Sequence, residues 1–495
     1  MNQDTAKLPV LEKIGYSLGD AAANFVFQTM ILFQLNFYTD TVGIAAAMAG
    51  SLLLVGRLWD AFFDPMMGVI ADRTHTRWGK FRPWVLWSAL PWGIVMVLAY
   101  TTPSYTTTGK IIYACVTNIL LMTLYSINNT PYSAMTGVMT GNVHERTSLS
   151  SYRFVSAMIA QLIIGGFTLP LVAKFGQGDN AKGWQMTIAL WAVLCVILFL
   201  FTFVSTRERI QPDPRQKSAG KQDFRNLLKN GPWIAMFIIT IAHFIVAAMR
   251  GGTVLYYFQY YINQDRLYGL LESLGLTQAG AAGGGLLYRM LDTFGLIVDA
   301  ERRNVASVGF SLFNMSSQFI TVIGVVCATY LSIRFGKKAV VQLGFALTAV
   351  FMAAFIFLPA DAIGATFALE YLRALAFSPT IPLLWAMFAD VVDYAEWKTG
   401  RRTTGVIYAT IMFGLKAGLS LGGAMAGWLL DAYGYQPNVA QTPESLLGIR
   451  LTISVYPAIF FAVVVITMFF YKIGKKLNLQ IQDELAERRK QYALI

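Results

Sequence analysis

Apolar residues run along this 495-residue chain in long blocks, broken by short polar stretches. The blocks lie near residues 14–40, 45–71, 84–102, 110–139, 150–174 and 184–206. A second set lies near 231–261, 305–333, 338–359, 362–392, 404–432 and 446–472. Each comes close to or exceeds the ~20 residues that a helix needs to cross a hydrocarbon core. The pattern therefore predicts an all-α polytopic membrane protein with twelve spans. Thr206–Asn230 is polar, rich in Arg and Lys, and holds Pro212 and Pro214. It reads as a cytoplasmic linker (206–230) between a six-helix half at 1–205 and another at 231–472, with a tail at 473–495. Residues 262–304 break the compact plan. Arg289, Asp292 and Asp299 interrupt apolar stretches that are too short to span. An extracellular amphipathic insertion is expected there, either a lid or packing decoration.

Composition agrees. The chain is 56% hydrophobic and 13% charged, about half the charge of a soluble protein, which excludes a large soluble enzyme and a disordered chain. A net charge of +12 in a soluble chain would suggest a nucleic-acid partner. Here about two thirds of the 39 Lys and Arg fall on the termini and on the loops that alternate with them. Arg73, Arg77, Lys80 and Arg82 form one such cluster, and Arg207 to Lys229, Arg334 to Lys338, and Lys398 to Arg402 form others. The positive-inside rule makes these segments cytoplasmic, with both termini. The surplus charge then reports topology in a bacterial-type inner membrane, with lipid as neighbour and no nucleic acid. Cys115, Cys195 and Cys327 are isolated within apolar runs, so neither a disulfide framework nor a structural metal site is indicated. No GxSxG, Walker A, HExxH or EF-hand pattern occurs, so neither an enzyme nor a cofactor is expected.

The candidate chemistry lies in charges that fall inside the spans. An ionisable group at a helix centre costs about 2.5–3.5 kcal/mol on insertion scales, which marks it as a functional candidate. Arg57, Asp60 and Asp64 fall within about 60° of one another on one helix face, beside a kinking Pro65. Two carboxylates one turn apart can hold a small cation or share a proton; the plain alternative is an interhelical ion-pair set. Polar stripes recur elsewhere. The first span carries Asp20, Asn24 and Gln28; the fourth carries Tyr125, Ser126, Asn128, Asn129 and Tyr132; the fifth carries Arg153. The second half adds Arg250, the stripe Asn314, Ser317, Gln318 and Thr321, the aromatic Trp385, and Lys416. Taken singly, such groups read as interhelical hydrogen bonding. Together they fit a polar cavity whose amides, hydroxyls and rings suit a sugar. Glu370 and Arg373, one turn apart, read as a local ion pair, and His243 as a hydrogen-bonded histidine more readily than a proton relay.

The segment GRLWDAFFDPMMGVIADRTHTRWGKFRPW (56–84) resembles the second-span and following-loop signature of the glycoside–pentoside–hexuronide:cation symporters, a branch of the major facilitator superfamily that includes the melibiose permeases. ADVVDYAEWKTGRRTTGVIYA (389–409), PYSAM (131–135) and GYQPNVAQTPESLLGIR (434–450) are similar to the same family. The resemblance covers nearly the whole chain apart from 262–304. It implies two pseudo-symmetric six-helix halves in a monomer that moves sugar with H⁺, Na⁺ or Li⁺ by alternating access. It also implies cation-site roles for Asp60, Asp64 and Ser126, and sugar binding or coupling for Tyr125, Arg153 and Lys416. Asp72, Arg73, Arg77 and Gly79 match the superfamily's gate loop, and Asp390, Asp393 and Glu396 match its counterpart in the second half.

The departures bear on specificity. Melibiose-type members carry Lys-Asp where this chain has Ala23-Asn24, and an Asp where it has Asn129. Those amides still donate and accept, so sugar binding survives while the identity of the sugar does not carry over. Between Asp60 and Asp64 this chain places Phe63, where Na⁺-selective members place an Asn. A Na⁺ site wants several oxygens, whereas a proton needs one carboxylate able to stay neutral, so H⁺ coupling is expected ahead of Na⁺. A lipid-like cargo is the alternative, opposed by the polar stripes.

Overall fold

The computed structural model describes residues 7–140, 142–209, 227, 229–278, 285–400 and 404–492. Most of the basic linker, Gly283, Gly284 and the Arg401–Arg402 pair lie outside these. Apart from two isolated bridges, Thr76–Gly79 and Thr277–Val298, regular structure among the described residues is helical.

In the first half the helices are α1 (Val10–Asn36, continued by a π-helical turn Phe37–Val42), α2 (Ala46–Asp72), α3 (Arg82–Ala99), α4 (Thr107–Met139), α5 (Val143–Gly176) and α6 (Asn180–Ser205). The second half begins with α7 (Gly231–Tyr256, with a π turn Tyr257–Tyr261). Two short helices follow, α8 (Gln264–Ser273) and α9 (Leu286–Thr293), and then α10 (Val305–Phe335), α11 (Lys337–Ala354), α12 (Ile363–Phe377), α13 (Thr380–Thr399), α14 (Thr404–Ala432), α15 (Pro443–Ile453), α16 (Val455–Phe470) and α17 (Lys475–Tyr492). Among the described residues eleven helical segments are long and apolar enough to cross a membrane. The first helix is long enough but polar, because it carries Glu12, Lys13, Asp20, Asn24 and Gln28.

Three features depart from the hydropathy pattern. The block at 362–392 is two helices, broken at Ser378-Pro379, and the block at 446–472 is also two, broken at Ser454. Hydropathy averages over such breaks. The tail, expected only as a short basic segment, forms α17. Its Ile481 and Leu485 are buried in one apolar cluster with residues of α7, α11, α13 and α16, and its Glu484 accepts a 2.6 Å hydrogen bond from Trp397 Nε1.

The helices pack into two compact units. The first comprises the described residues of Met1–Arg215, Val254–Met315 and Gly423–Ser445; the second comprises those of Gln216–Thr253, Ser316–Gly422 and Leu446–Ile495. Within the first unit, α1 packs on α5 and α6, α2 on α4, and α3 on both α4 and α6. Small residues permit the closest approach: a Cβ at Gly427 of α14 would sit 2.4 Å from the Ala46 carbonyl oxygen and 2.8 Å from Gly50 of α2. The 262–304 insertion belongs to this unit. Among its described residues no helix is long enough to span, since α8 and α9 have 10 and 8 residues. Phe294 packs 4.7 Å from the Phe167 ring, and Lys174 bonds Asp292 at 3.3 Å. Close by in the same unit, Asp40 accepts hydroxyl bonds from Tyr260 (2.8 Å) and Tyr435 (2.5 Å). Burial, and then that carboxylate, hold the Tyr435 phenol far above its usual range.

Candidate functional site

The second-span carboxylates face α4. Ser126 donates a short hydrogen bond to Asp60, and both residues are buried. One turn further on, Thr130 Oγ1 donates to Asp64 at 3.0 Å. The two pairs share a separation of 66 residues, so α2 and α4 run parallel in one register and present two carboxylate–hydroxyl rungs. Each helix then carries a proline at the next position, Pro65 and Pro131. A proline cannot donate to the carbonyl four residues back, which frees Ala61 O and Ile127 O. Both helices can therefore keep polar backbone oxygens close to the rungs, inside spans that otherwise satisfy their own backbone. Arg57 is buried, within electrostatic reach of Asp60, with its guanidinium 5.7 Å from the Phe27 ring centroid. Phe63, between the carboxylates in sequence, stacks on Trp59 at 6.1 Å.

Next to the rungs lies a second constellation built by α1, α4 and α5. Arg153 pairs with Asp20 at 3.1 Å, and its guanidinium sits 5.7 and 5.1 Å from the rings of Tyr16 and Tyr132. Those two rings stack 4.7 Å apart, and each hydroxyl donates to the other residue's carbonyl, at 2.9 and 2.6 Å. Tyr125 lies against Phe27 and Trp92 and accepts from Asn129 at 3.3 Å. Asn24 donates to the Asp20 carbonyl at 2.8 Å, and Gln28 is half-buried one turn on. Asn128 turns elsewhere. It is fully buried and donates to Ser88 of α3 at 2.8 Å.

Of the second-unit candidates, Arg250 bonds Glu370 at 2.7 Å. Glu370 also takes Arg373 at 2.8 Å, the local pair expected from spacing, and Ser317 at 2.7 Å. Lys416 is half-buried, and Trp385 is 41% exposed and edge-on to Phe388. His243 lies among Phe244, Phe345, Phe377 and Phe461, and its Nδ1 has no hydrogen-bond partner among the described residues. That cage is a poor setting for a proton relay.

The loop after α2 is held from an unexpected quarter. Glu208, just past α6, accepts from the backbone N–H groups of Lys80 (2.8 Å), Phe81 (2.7 Å) and Arg82 (2.9 Å). It caps α3 from 126–128 residues away, using the anion preference of a helix start. Gly79 has φ +113, and a Cβ there would lie 2.5 Å from the Glu208 carboxyl carbon, so the motif's glycine is required by both backbone and space. Lys80 pairs with the exposed Asp72 at 3.2 Å, Arg77 lies over Trp78 at 4.6 Å, and Arg73 is exposed. In the second unit Asp390 pairs with Lys337 at 2.6 Å, with Asp393 and Glu396 half-buried a turn or two on. Arg209 forks onto Glu12 at 2.7 and 2.8 Å, a hydrogen-bonded pairing that raises its already high pKa.

Three residues escaped the reading of the sequence: Asp20 as the partner of Arg153, Thr130, and Glu208. The first two carried a signal. Asp20 and Asn24 are one turn apart, and Ser126 and Thr130 repeat the four-residue spacing of Asp60 and Asp64. Glu208 carried none.

A family model described as MFS/sugar transport protein matches residues 15–295 and 298–475. A candidate glycoside/cation symporter of Escherichia coli (strain K12) is 35% identical over 98% of this chain and 96% of its own. An inner membrane symporter of the same organism is 34% identical, over 98% and 96%. The isoprimeverose transporter of Lactiplantibacillus pentosus is 31% identical, over 94% and 90%. Among solved structures, a D-xylose–proton symporter superposes with a TM-score of 0.58 at 13% identity, over 93% of this chain and 96% of that one, a likeness of fold alone.

Proposed function

The chain belongs to the MFS/sugar transport family, among the glycoside:cation symporters of the major facilitator superfamily, and from that premise we propose that it imports a glycoside or small oligosaccharide by cation-coupled symport. The carrying observation is the double rung, Asp60–Ser126 and Asp64–Thr130, set beside the polar and aromatic groups of α1, α4 and α5. The rungs are the coupling site. Asn24, Gln28, Tyr125, Asn129 and Arg153 are the sugar-binding groups of the first unit; Arg250, Trp385 and Lys416 are, separately, the substrate-binding candidates of the second. Asn128 supports α4 through Ser88. The clusters around Asp72 and Asp390 gate a cytoplasmic mouth, in an inner membrane with both termini cytoplasmic.

Coupling follows from charge. A loaded cation lowers the net charge of the carboxylates, which reduces the cost of moving the site between access states. The coupling ion is H⁺: Phe63 supplies no oxygen between the carboxylates, and a proton needs only one of them. Na⁺ is the second reading, favoured by the Ser126 and Thr130 oxygens and the two freed carbonyls.

Proteoliposomes presented externally with a panel of neutral and acidic glycosides test both, under a pH gradient and then under a Na⁺ gradient. Uptake driven by the pH gradient and abolished by a protonophore supports H⁺. Na⁺-driven uptake that ignores a protonophore replaces it with Na⁺. No glycoside accumulation under either gradient refutes the proposal.

A further inference from the structure

A cavity of about 360 Å³ lies wholly within the second unit. It sits where spans end: α11 begins at Lys337, and α16 stops at Phe470 just before α17 starts at Lys475. Two helix starts, those of α11 and α17, therefore open onto the same space. The residue before α11 is Gly336, which has no side chain with which to cap, and a helix start presents unpaired N–H groups and a partial positive charge.

The side chains add to that field. Lys337, Lys338 and Lys475 line the cavity, and Asp390 is its one acidic lining residue. Lys338 and Lys475 each place one ammonium bond on a carbonyl, of Tyr471 (2.6 Å) and Ile333 (2.7 Å), so each keeps donors to spare. Lys337 is shared with Asp390. Tyr471 is 1% exposed, and its hydroxyl has no hydrogen-bond partner among the described residues. A buried hydroxyl without a partner costs about 1–3 kcal/mol, and Tyr471 is among the residues that line this space, which is roomy enough for a ligand. Three ammonium groups, two helix starts and an idle phenol, set against one carboxylate, make a site for an oxyanion.

We propose that this cavity binds a phosphate-type oxyanion, held by Lys338, Lys475, the Tyr471 hydroxyl and the first turns of α11 and α17. The anion shares Lys337 with Asp390, so its occupancy weakens the Lys337–Asp390 pair and ties the position of α17 to that of α13. Lying at the span ends, the cavity is within reach both of a lipid headgroup and of free phosphate.

The test measures thermal unfolding of the purified full chain in a neutral detergent at constant ionic strength. One arm titrates inorganic phosphate, another dioctanoyl phosphatidic acid, with dioctanoyl phosphatidylcholine and chloride as controls. Saturable stabilisation of the wild type is expected. Lys338→Gln with Lys475→Gln should weaken it by at least about ten-fold, and Tyr471→Phe also by about ten-fold or more, the loss of one charge-assisted hydrogen bond. Saturation by inorganic phosphate identifies a soluble anion, and saturation by phosphatidic acid alone identifies a lipid headgroup. Lys475 is exposed, so Lys475→Gln by itself keeps the test valid if the double variant does not fold. No saturable shift in either arm, or equal shifts in the wild type and in every folded variant, overturns the proposal.

Discussion

Replacing Asp20 by Asn removes the only carboxylate that pairs directly with Arg153 among the described residues, while leaving shape and hydrogen-bonding capacity almost intact. The side chains are 16% and 25% exposed, so the pair is mostly withdrawn from water. An unpaired arginine at a helix centre costs about 2.5–3.5 kcal/mol on insertion scales, an upper bound for Arg153, which lies near the start of its span. Partial exposure and the retained contacts with the Tyr16 and Tyr132 rings return about 1 kcal/mol of this. The net expectation is a loss of about 2 kcal/mol, close to a 30-fold change in the folding equilibrium. The double variant Asp20→Asn/Arg153→Gln carries neither charge and should recover most of that loss, because breaking a buried pair costs more than deleting it. Equilibrium unfolding in mixed sodium dodecyl sulfate and dodecyl maltoside, followed by circular dichroism, measures all four corners of the cycle. A single variant within 0.5 kcal/mol of the wild type, or a double variant whose loss is the sum of the single losses, refutes the reasoning.

Four further outcomes are expected. Thr130→Val and Ser126→Ala each remove a hydrogen bond to a carboxylate and should raise the half-saturating concentration of the coupling ion about ten-fold or more, read from uptake at varied pH or Na⁺. Asp64→Asn should abolish concentrative uptake while leaving counterflow exchange of preloaded sugar; full accumulation in that variant counts against a coupling role. Gly79→Ala meets both a positive φ and the Glu208 carboxylate, and should lower stability by about 1–3 kcal/mol. Glu208→Gln keeps acceptor capacity without charge and should cost less than Glu208→Ala, both compared by midpoint of thermal unfolding.

The spans were legible because lipid imposes an apolar surface on every exposed helix face, and that demand is written residue by residue. The short helices at 264–273 and 286–293 were legible as non-spanning for the same reason. Breaks at Pro379 and Ser454 escaped because hydropathy is blind to a single missing backbone bond. The tail helix escaped because its basic residues outweighed Leu477, Ile481 and Leu485, whose four-residue spacing marks an apolar stripe. At the site, the carboxylates and the fourth-span polar stripe were visible, but their directions were not. Asn128 and Asn129 differ by one residue, and so by about 100° of helix face; one bonds Ser88 and the other Tyr125. Glu208 lay beyond reach, since nothing local distinguishes a carboxylate that caps a helix more than a hundred residues earlier.

Placing Pro65 and Pro131 in the same register has a mechanical consequence. Two parallel rods jointed at the same height bend as one, about a common axis that passes beside the rungs. A 20° flexion, the scale of a sharp proline kink, swings an arm of about 28 Å, the length from Pro65 to Ala46, by about 10 Å at its tip. A group one helical turn (about 5.4 Å) from the joint moves by only about 2 Å. The far end of α2, at Ala46, lies on such a long arm, while Asp60 and Asp64 sit on the short one. Large excursions at the helix end are thereby geared down to small ones at the carboxylates, as the proposed coupling role requires.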